Sequence, residues 1–315
     1  MGLVSRYVVP FLNEHYIEAM LSLLVVIFIN FIVPKNNKKK GEEAMQNGSV
    51  PGHKSSSTKE ERASKNVIKS GGVGDVADDD EDEGLDNLVD PLWPEDLKHV
   101  PFRPPRYTQE ESLQRSRDYF ELLNKRRSVR FFSSEPVPRE VIDNIVRTGG
   151  TSPSGAHTEP WTFVVVGDID MKHEVRRIVE AEEEVNYTKR MGSQWVNDLK
   201  ALKTNWVKEY LTEAPWLILI FKQTYGILPD GRKRNHYYHE ISTALAGGIM
   251  LSAIHYAGLV TLTSTPLNCG PQLRTLLGRP SNEKLLLLLP VGYPSLDATV
   301  PDLQRKDLED IMVVF

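Results

Sequence analysis

The sequence predicts an α+β fold in which helices pack on a small sheet. Two observations carry this reading: helical patterns alternate with only a few apolar, β-branched runs, and the alternation lacks the regular βαβ rhythm of a doubly wound sheet. A third bounds it, because the globular pattern begins only near Asp90.

Before that point two different segments precede the domain. Residues 16–33 are almost all apolar and are followed by Pro34, Lys35, Lys38, Lys39 and Lys40. As a helix rising about 1.5 Å per residue, this run crosses most of a hydrocarbon core. A cleaved signal peptide expects its positive charge before the apolar run, not after it. Residues 1–35 are therefore read as a retained single-pass anchor in a plasma or vesicle membrane, with the chain after Lys35 in the cytosol by the positive-inside bias. Residues 36–90 are rich in Lys, Ser, Gly, Asp and Glu and cannot bury enough apolar surface to offset their ordering entropy, so they read as a charged linker. Gly71, Gly72 and Gly74 lack the preceding strand and following helix of a nucleotide loop. The acidic run Asp78 to Glu83 reads as solvated linker.

Within 91–315, prolines 91, 94, 101, 104 and 105 mark an extended lead-in. Helices are expected over Gln109 to Asn124, Arg139 to about Arg147, Asp170 to Gly192, Gln194 to Leu211 and His239 to Ala257. The last is rich in Ala, Gly and Ser, which lets another backbone approach closely. Strands are expected at Trp161 to Val166, Trp216 to Phe221, Leu259 to Thr265 and Lys284 to Val291.

Composition limits the chemistry. The 315 residues carry a net charge of −5, which argues against a nucleic-acid binder relying on broad positive surface. The single Cys269 excludes an intrachain disulfide framework and a cysteine zinc site. His236 and His239 lack an evident third ligand, so no metal site is assigned.

Four constellations remain. Arg126-Arg127-Ser128-Val129-Arg130 gathers guanidiniums and a hydroxyl that can surround a phosphate, or it is a basic surface turn. If the segment is extended, Arg126, Ser128 and Arg130 share one side. Arg305 joins them only if the chain end folds back. The loop Thr151 to Trp161, with Pro153, Ser154 and Gly155, exposes backbone polar groups to a flat ligand, or is a structural turn. Thr263, Ser264 and Thr265 at a strand end offer hydroxyls to a cofactor edge, or cap the next turn. Glu183 and Tyr187 fall on one helical face, and an antiparallel return brings Lys208 from the next helix near them. Such a trio can hold an amino-acid zwitterion, while the plainer reading is a solvated helical pair.

Taken together these motifs resemble the nitroreductase superfamily of FMN flavoenzymes, over about Asp90 to Phe315, and more closely its iodotyrosine deiodinase branch. The loop Pro-Ser-Gly-Ala-His-Thr-Glu-Pro-Trp carries the distinction, since many nitroreductases have Asn and Gln where this chain has His157 and Glu159. The resemblance implies a three-layer sandwich of helices around a mixed sheet and a homodimer with composite sites. It implies an FMN phosphate gripped by residues 126–130 and Arg305, with Pro153, Ser154 and Gly155 of the other subunit along the flavin ring. Thr265, more than Ser264 or Thr263, would face flavin N5 and favour one-electron steps. Glu183, Tyr187 and Lys208 would form a lid on the substrate, with the Ala156 N–H on its phenolate. The activity implied is removal of iodide from mono- and diiodotyrosine, with electrons from NADPH through a separate reductase. A general nitro or quinone reductase shares the FMN site but does not need the Glu/Tyr/Lys trio. A non-catalytic tethered adaptor needs neither.

Overall fold

The computed structural model describes residues 91–315. The anchor, the linker, the glycines at 71–74 and the acidic run 78–83 lie outside the described residues. Among the described residues no helix is long and apolar enough to cross a membrane.

Helix α1, Gln109–Asn124, begins with a reciprocal cap: Thr108 Oγ1 accepts from the Glu111 N–H at 3.2 Å, and Glu111 Oε2 accepts from the Thr108 N–H at 2.8 Å. Helix α2, Arg139–Gly149, buries Ile142 and Ile145. Strand β1, Trp161–Val166, follows the loop and leads through the Asp168 cap into α3, Ile169–Val185. The chain continues in a π-helical turn, Asn186–Arg190, and α4, Ser193–Lys200.

The long second charged helix expected here does not form. It stops at Lys200, runs irregularly, and resumes only as the single turn α5, Tyr210–Glu213. Lys203 takes a left-handed φ of 51°, and Asn205 Oδ1 captures the Val207 N–H at 2.7 Å. A side chain that satisfies a nearby backbone donor competes with the helical ladder.

Then come β2, Trp216–Gln223, the hairpin β3, Tyr225–Ile227, with β4, Lys233–Asn235, and α6, His239–Tyr256. Strand β5 is only Val260–Thr261, much shorter than expected, because the chain leaves the ladder and returns through one bridge, Ser264 to Leu288. Helix α7, Gly270–Leu276, strand β6, Glu283–Gly292, and the turn α8, Leu308–Ile311, complete the order.

The main sheet has the order β1-β2-β6-β5, and every strand pairing in it is antiparallel. The expected mixed sheet is met only by an isolated parallel bridge between Ser128 and Thr261. Because strand side chains alternate, β2 supplies two cores. Leu217, Leu219 and Phe221 meet Val175, Ile178, Val179 and Leu273 on one face. On the other, Ile218 and Ile220 meet Ile142, Ile145, Met250 and Ile254. The fold is thus a three-layer sandwich with buried central strands. Helix α6 sits close to the sheet through Gly247, where a Cβ would stand 3.0 Å from Leu287 Cδ1.

Candidate active site

The basic segment leaves α1 and is fixed at once by the bridge to β5, with the Val129 N–H donating to Thr261 O at 3.1 Å. Val129 is buried, while its neighbours Arg126, Arg127, Ser128 and Arg130 are half-buried. The chain end does fold back. The Arg305 guanidinium donates to Asn124 O at 3.0 Å, Asn124 Oδ1 at 3.2 Å and Arg126 O at 2.8 Å. Arg127 donates in return to the Pro301 carbonyl. The tail 301–305 is therefore lashed to the basic segment, and Arg305 becomes its fourth cation. Arg127 is directed toward the tail.

Thr263 and Thr265 are exposed, and Ser264 between them is half-buried. Ser264 exchanges backbone bonds with Leu288 at 3.0 and 2.8 Å, and its hydroxyl pairs with that of Tyr210. Burial drives the Tyr210 phenol above its ordinary range, so it stays neutral. Thr263 and Thr265 are the exposed members of the three.

The trio is assembled, though not on two helices. Glu183 ends α3, Tyr187 lies in the π-helical turn, and Lys208 sits on the irregular segment before α5. Lys208 Nζ stands 3.4 Å from Glu183 Oε2, with the two side chains 7% and 13% exposed. It also lies 5.4 Å from the Tyr187 ring centroid. Asn186 Nδ2 donates to Glu183 Oε1 at 3.2 Å. Trp195 and Trp206 pack edge-on against Tyr187 at 4.8 and 6.2 Å. Burial holds the Lys208 ammonium below its ordinary range, while Glu183 pulls the other way. Burial likewise raises the Tyr187 phenol. A carboxylate, an ammonium and a phenol with apolar walls can receive a zwitterion by exchanging their mutual contacts for those of the ligand.

The Pro-Ser-Gly loop has its own strained geometry. Ala156, His157 and Glu159 adopt φ of 49°, 55° and 45°. Ser154 Oγ accepts from the Glu159 N–H at 3.0 Å, and Trp93 Nε1 donates to Ala156 O at 3.2 Å. Backbone held in this sparsely populated region marks a constrained site. Among the described residues no hydrogen bond or ion pair joins residues 153–156 to 126–130 or to the Glu183 trio.

The Nitroreductase family model matches residues 123–293. The chain is 62% identical over 240 residues to the iodotyrosine deiodinase of Danio rerio, covering 76% of this chain and 81% of that one. It is 65% identical over 219 residues to iodotyrosine deiodinase 1 of Homo sapiens, covering 70% and 76%. The chain belongs to the nitroreductase family, in its iodotyrosine deiodinase branch. Its fold also matches a crystal structure of oxidised iodotyrosine deiodinase bound to FMN and 3-iodo-L-tyrosine, with a TM-score of 0.54 and 30% identity. That match covers 62% of this chain and 98% of the other.

Against that membership, two sequence expectations change in detail. Gly155 makes its close approach to this chain itself: a Cβ there would stand 2.8 Å from Tyr237 O. Lys208 is not helical, as described above. In residues 126–130, Val129 is buried between the partly exposed Ser128 and Arg130, and Arg126 and Arg127 are partly exposed as well. Cys269 is fully buried, and desolvation pushes its thiol up to about 12, the opposite of an activated nucleophile. His236 is buried with Nδ1 3.2 Å from Gln223 O, and among the described residues no group of three or more His, Cys, Asp or Glu side chains converges on a metal position. Sequence reasoning missed Asn186, Tyr210 and Trp206. Trp206 and Tyr210 lie two residues to either side of Lys208, but nothing local says which of these side chains face inward.

Proposed function

We propose that this chain catalyses FMN-dependent reductive removal of iodide from mono- and diiodotyrosine. The observation that carries the reading is the sealed Glu183–Lys208 pair beside Tyr187, on a chain of the deiodinase branch. A bare nitroaromatic needs no such trio.

The residues fit FMN. Arg126, Ser128 and Arg130, backed by Arg127 and by Arg305 of the tail, form the donor set of a phosphate site. Thr265 offers an outward hydroxyl to the flavin edge. When bound, FMN supplies the electrons: the aryl iodide takes up two electrons and one proton and releases iodide, leaving tyrosine. The protein's part is binding and placement. Glu183 receives the α-ammonium, while Lys208 and Tyr187 donate to the α-carboxylate. The Ala156 N–H donates to the phenolate oxygen. Trp195 and Trp206 close over Tyr187 and keep water out.

The active form proposed is a homodimer whose sites are composite. Helix α1 buries none of its residues; Leu113, Tyr119 and Phe120 are exposed, as are Ile241 and Leu245 of α6 and Ile311 to Phe315 at the apolar chain end. Apolar surface left open in this way fits a second copy. The loop 153–156, which has no bond to the basic segment of its own chain, is placed by this reading over the partner's flavin.

The apolar run 16–33 with its following lysines supports a single-pass anchor in a plasma or vesicle membrane, with the catalytic domain cytosolic. The electron source proposed is NADPH acting through a separate reductase.

The test supplies the full chain with FMN and a chemical reductant and compares iodide release from iodotyrosine with reduction of a nitroaromatic. Iodide release that dominates is the expected result. Nitroaromatic reduction without iodide release would overturn the reading in favour of a general reductase, and failure to bind FMN would overturn both.

A further inference from the structure

Helix α3 holds the segment that returns beside it through a stripe of charged side chains spaced four residues apart. Lys172 Nζ donates to Ala214 O at 2.8 Å and Thr212 O at 3.4 Å. One turn on, Arg176 Nη1 donates to Thr212 Oγ1 at 3.0 Å, and its Nε meets Glu180 Oε1 at 2.7 Å. A further turn on, that same Glu180 oxygen accepts from the Lys208 backbone N–H at 2.6 Å. The next turn carries Glu183, which meets the Lys208 ammonium. Successive turns of α3 thus grip residues 214, 212 and 208 in antiparallel order, and Glu180 is the last grip before the substrate trio.

We propose that Glu180 is a positioning residue for substrate binding: anchored by Arg176, it fixes the backbone of Lys208 so that the ammonium of that residue stays within reach of an amino-acid ligand. The inference rests on the zwitterion reading of Glu183, Tyr187 and Lys208. The Lys208 ammonium donates to Asn205 O and meets Glu183, but its stem has several free torsions and its segment no helical ladder, so a fixed backbone point narrows where the charge can stand. Ionised acceptors make hydrogen bonds roughly twice as strong as neutral ones. The pair is three-quarters shielded from solvent, which limits screening.

The experiment compares Glu180→Ala, Glu180→Gln and Glu183→Gln in the full-length, FMN-loaded protein. It measures KM and kcat for iodotyrosine, kcat/KM for 2-iodophenol, which has no zwitterion, and FMN content. Glu180→Ala is expected to raise KM for iodotyrosine about tenfold, with a smaller change in kcat and a reduced preference for iodotyrosine over 2-iodophenol. Glu180→Gln keeps an oxygen for the Lys208 N–H, and is expected to restore most of that loss. An unchanged KM in Glu180→Ala, with Glu183→Gln impaired, would overturn this role alone. Parallel losses of FMN and of both substrates, with no rescue by Gln, would reduce Glu180 to a structural residue and overturn it as well. An unchanged KM in Glu183→Gln would remove the zwitterion reading and the inference with it.

Discussion

Lys208 and Glu183 form an ion pair at 3.4 Å whose partners come from an irregular segment and from the last turn of a helix. Both charges are nearly sealed from water, so each needs the other or a ligand that replaces it. The carboxylate and the ammonium are therefore paired with one another.

Replacing Glu183 with Gln leaves a buried ammonium without its counter-charge. KM for iodotyrosine is expected to rise at least about tenfold, and the melting temperature to fall, since a charged hydrogen bond contributes about 1.5–3 kcal/mol. Steady-state kinetics and thermal denaturation check both, and a general reductase would show no rise in KM.

Arg305 closes the basic segment through the carbonyls of Asn124 and Arg126. Arg305→Ala should weaken FMN binding by about tenfold through loss of charge and of the docked tail. A fluorescence titration with FMN measures this, and an unchanged affinity would take Arg305 out of the phosphate site.

Neighbouring hydroxyls should behave differently. Ser264 is already paired with Tyr210, whereas Thr265 faces outward. Thr265→Ala is expected to keep FMN bound but bring the two one-electron potentials closer together in a reductive titration. Ser264→Ala should lower stability by about 1 kcal/mol and leave the potentials alone.

Cys269 is neutral and enclosed. The native protein should resist alkylation at pH 8 and react after denaturation. Its folded pKa of about 12 lies above the unfolded value of 9.0, so between those limits the unfolded chain binds fewer protons. Stability should therefore fall as pH rises past 9, with a contribution of at most about 1.4 kcal/mol per pH unit. Urea titrations at pH 8 and 10 on wild type and Cys269→Ala isolate it.

Gly155→Ala would force a methyl group against the Tyr237 carbonyl at 2.8 Å. The loop should shift, at a cost of about 1–3 kcal/mol, and iodotyrosine turnover should drop because the Ala156 N–H moves with it. Melting curves and iodide release report the two effects separately.

Much of this architecture was legible before any coordinates. Helix α1 and strand β1 lie where periodicity places them, because the half-buried Leu122 and Leu123 of the helix and the run Trp-Thr-Phe-Val-Val-Val paired with β2 each answer to one local rule. The gap at 201–209 was not legible. Its Lys, Thr and Asn residues continue an amphipathic pattern, which the left-handed Lys203, the turn at Asn205 and the pull of Glu180 on Lys208 break. The hairpin Tyr225 to Asn235 and helix α7 were too short to rise above their surroundings.

By itself the sequence determined the class of fold, the cluster of arginines at 126–130 and the residue types able to meet an amino acid, since charge, period and residue chemistry are local properties. Tertiary structure decided which of four nearby glutamates faces Lys208, which hydroxyl after β5 remains open, and that Arg305 reaches back across the chain to Arg126. Those outcomes depend on contacts between residues far apart in sequence, where packing and desolvation select one arrangement among many that local rules allow.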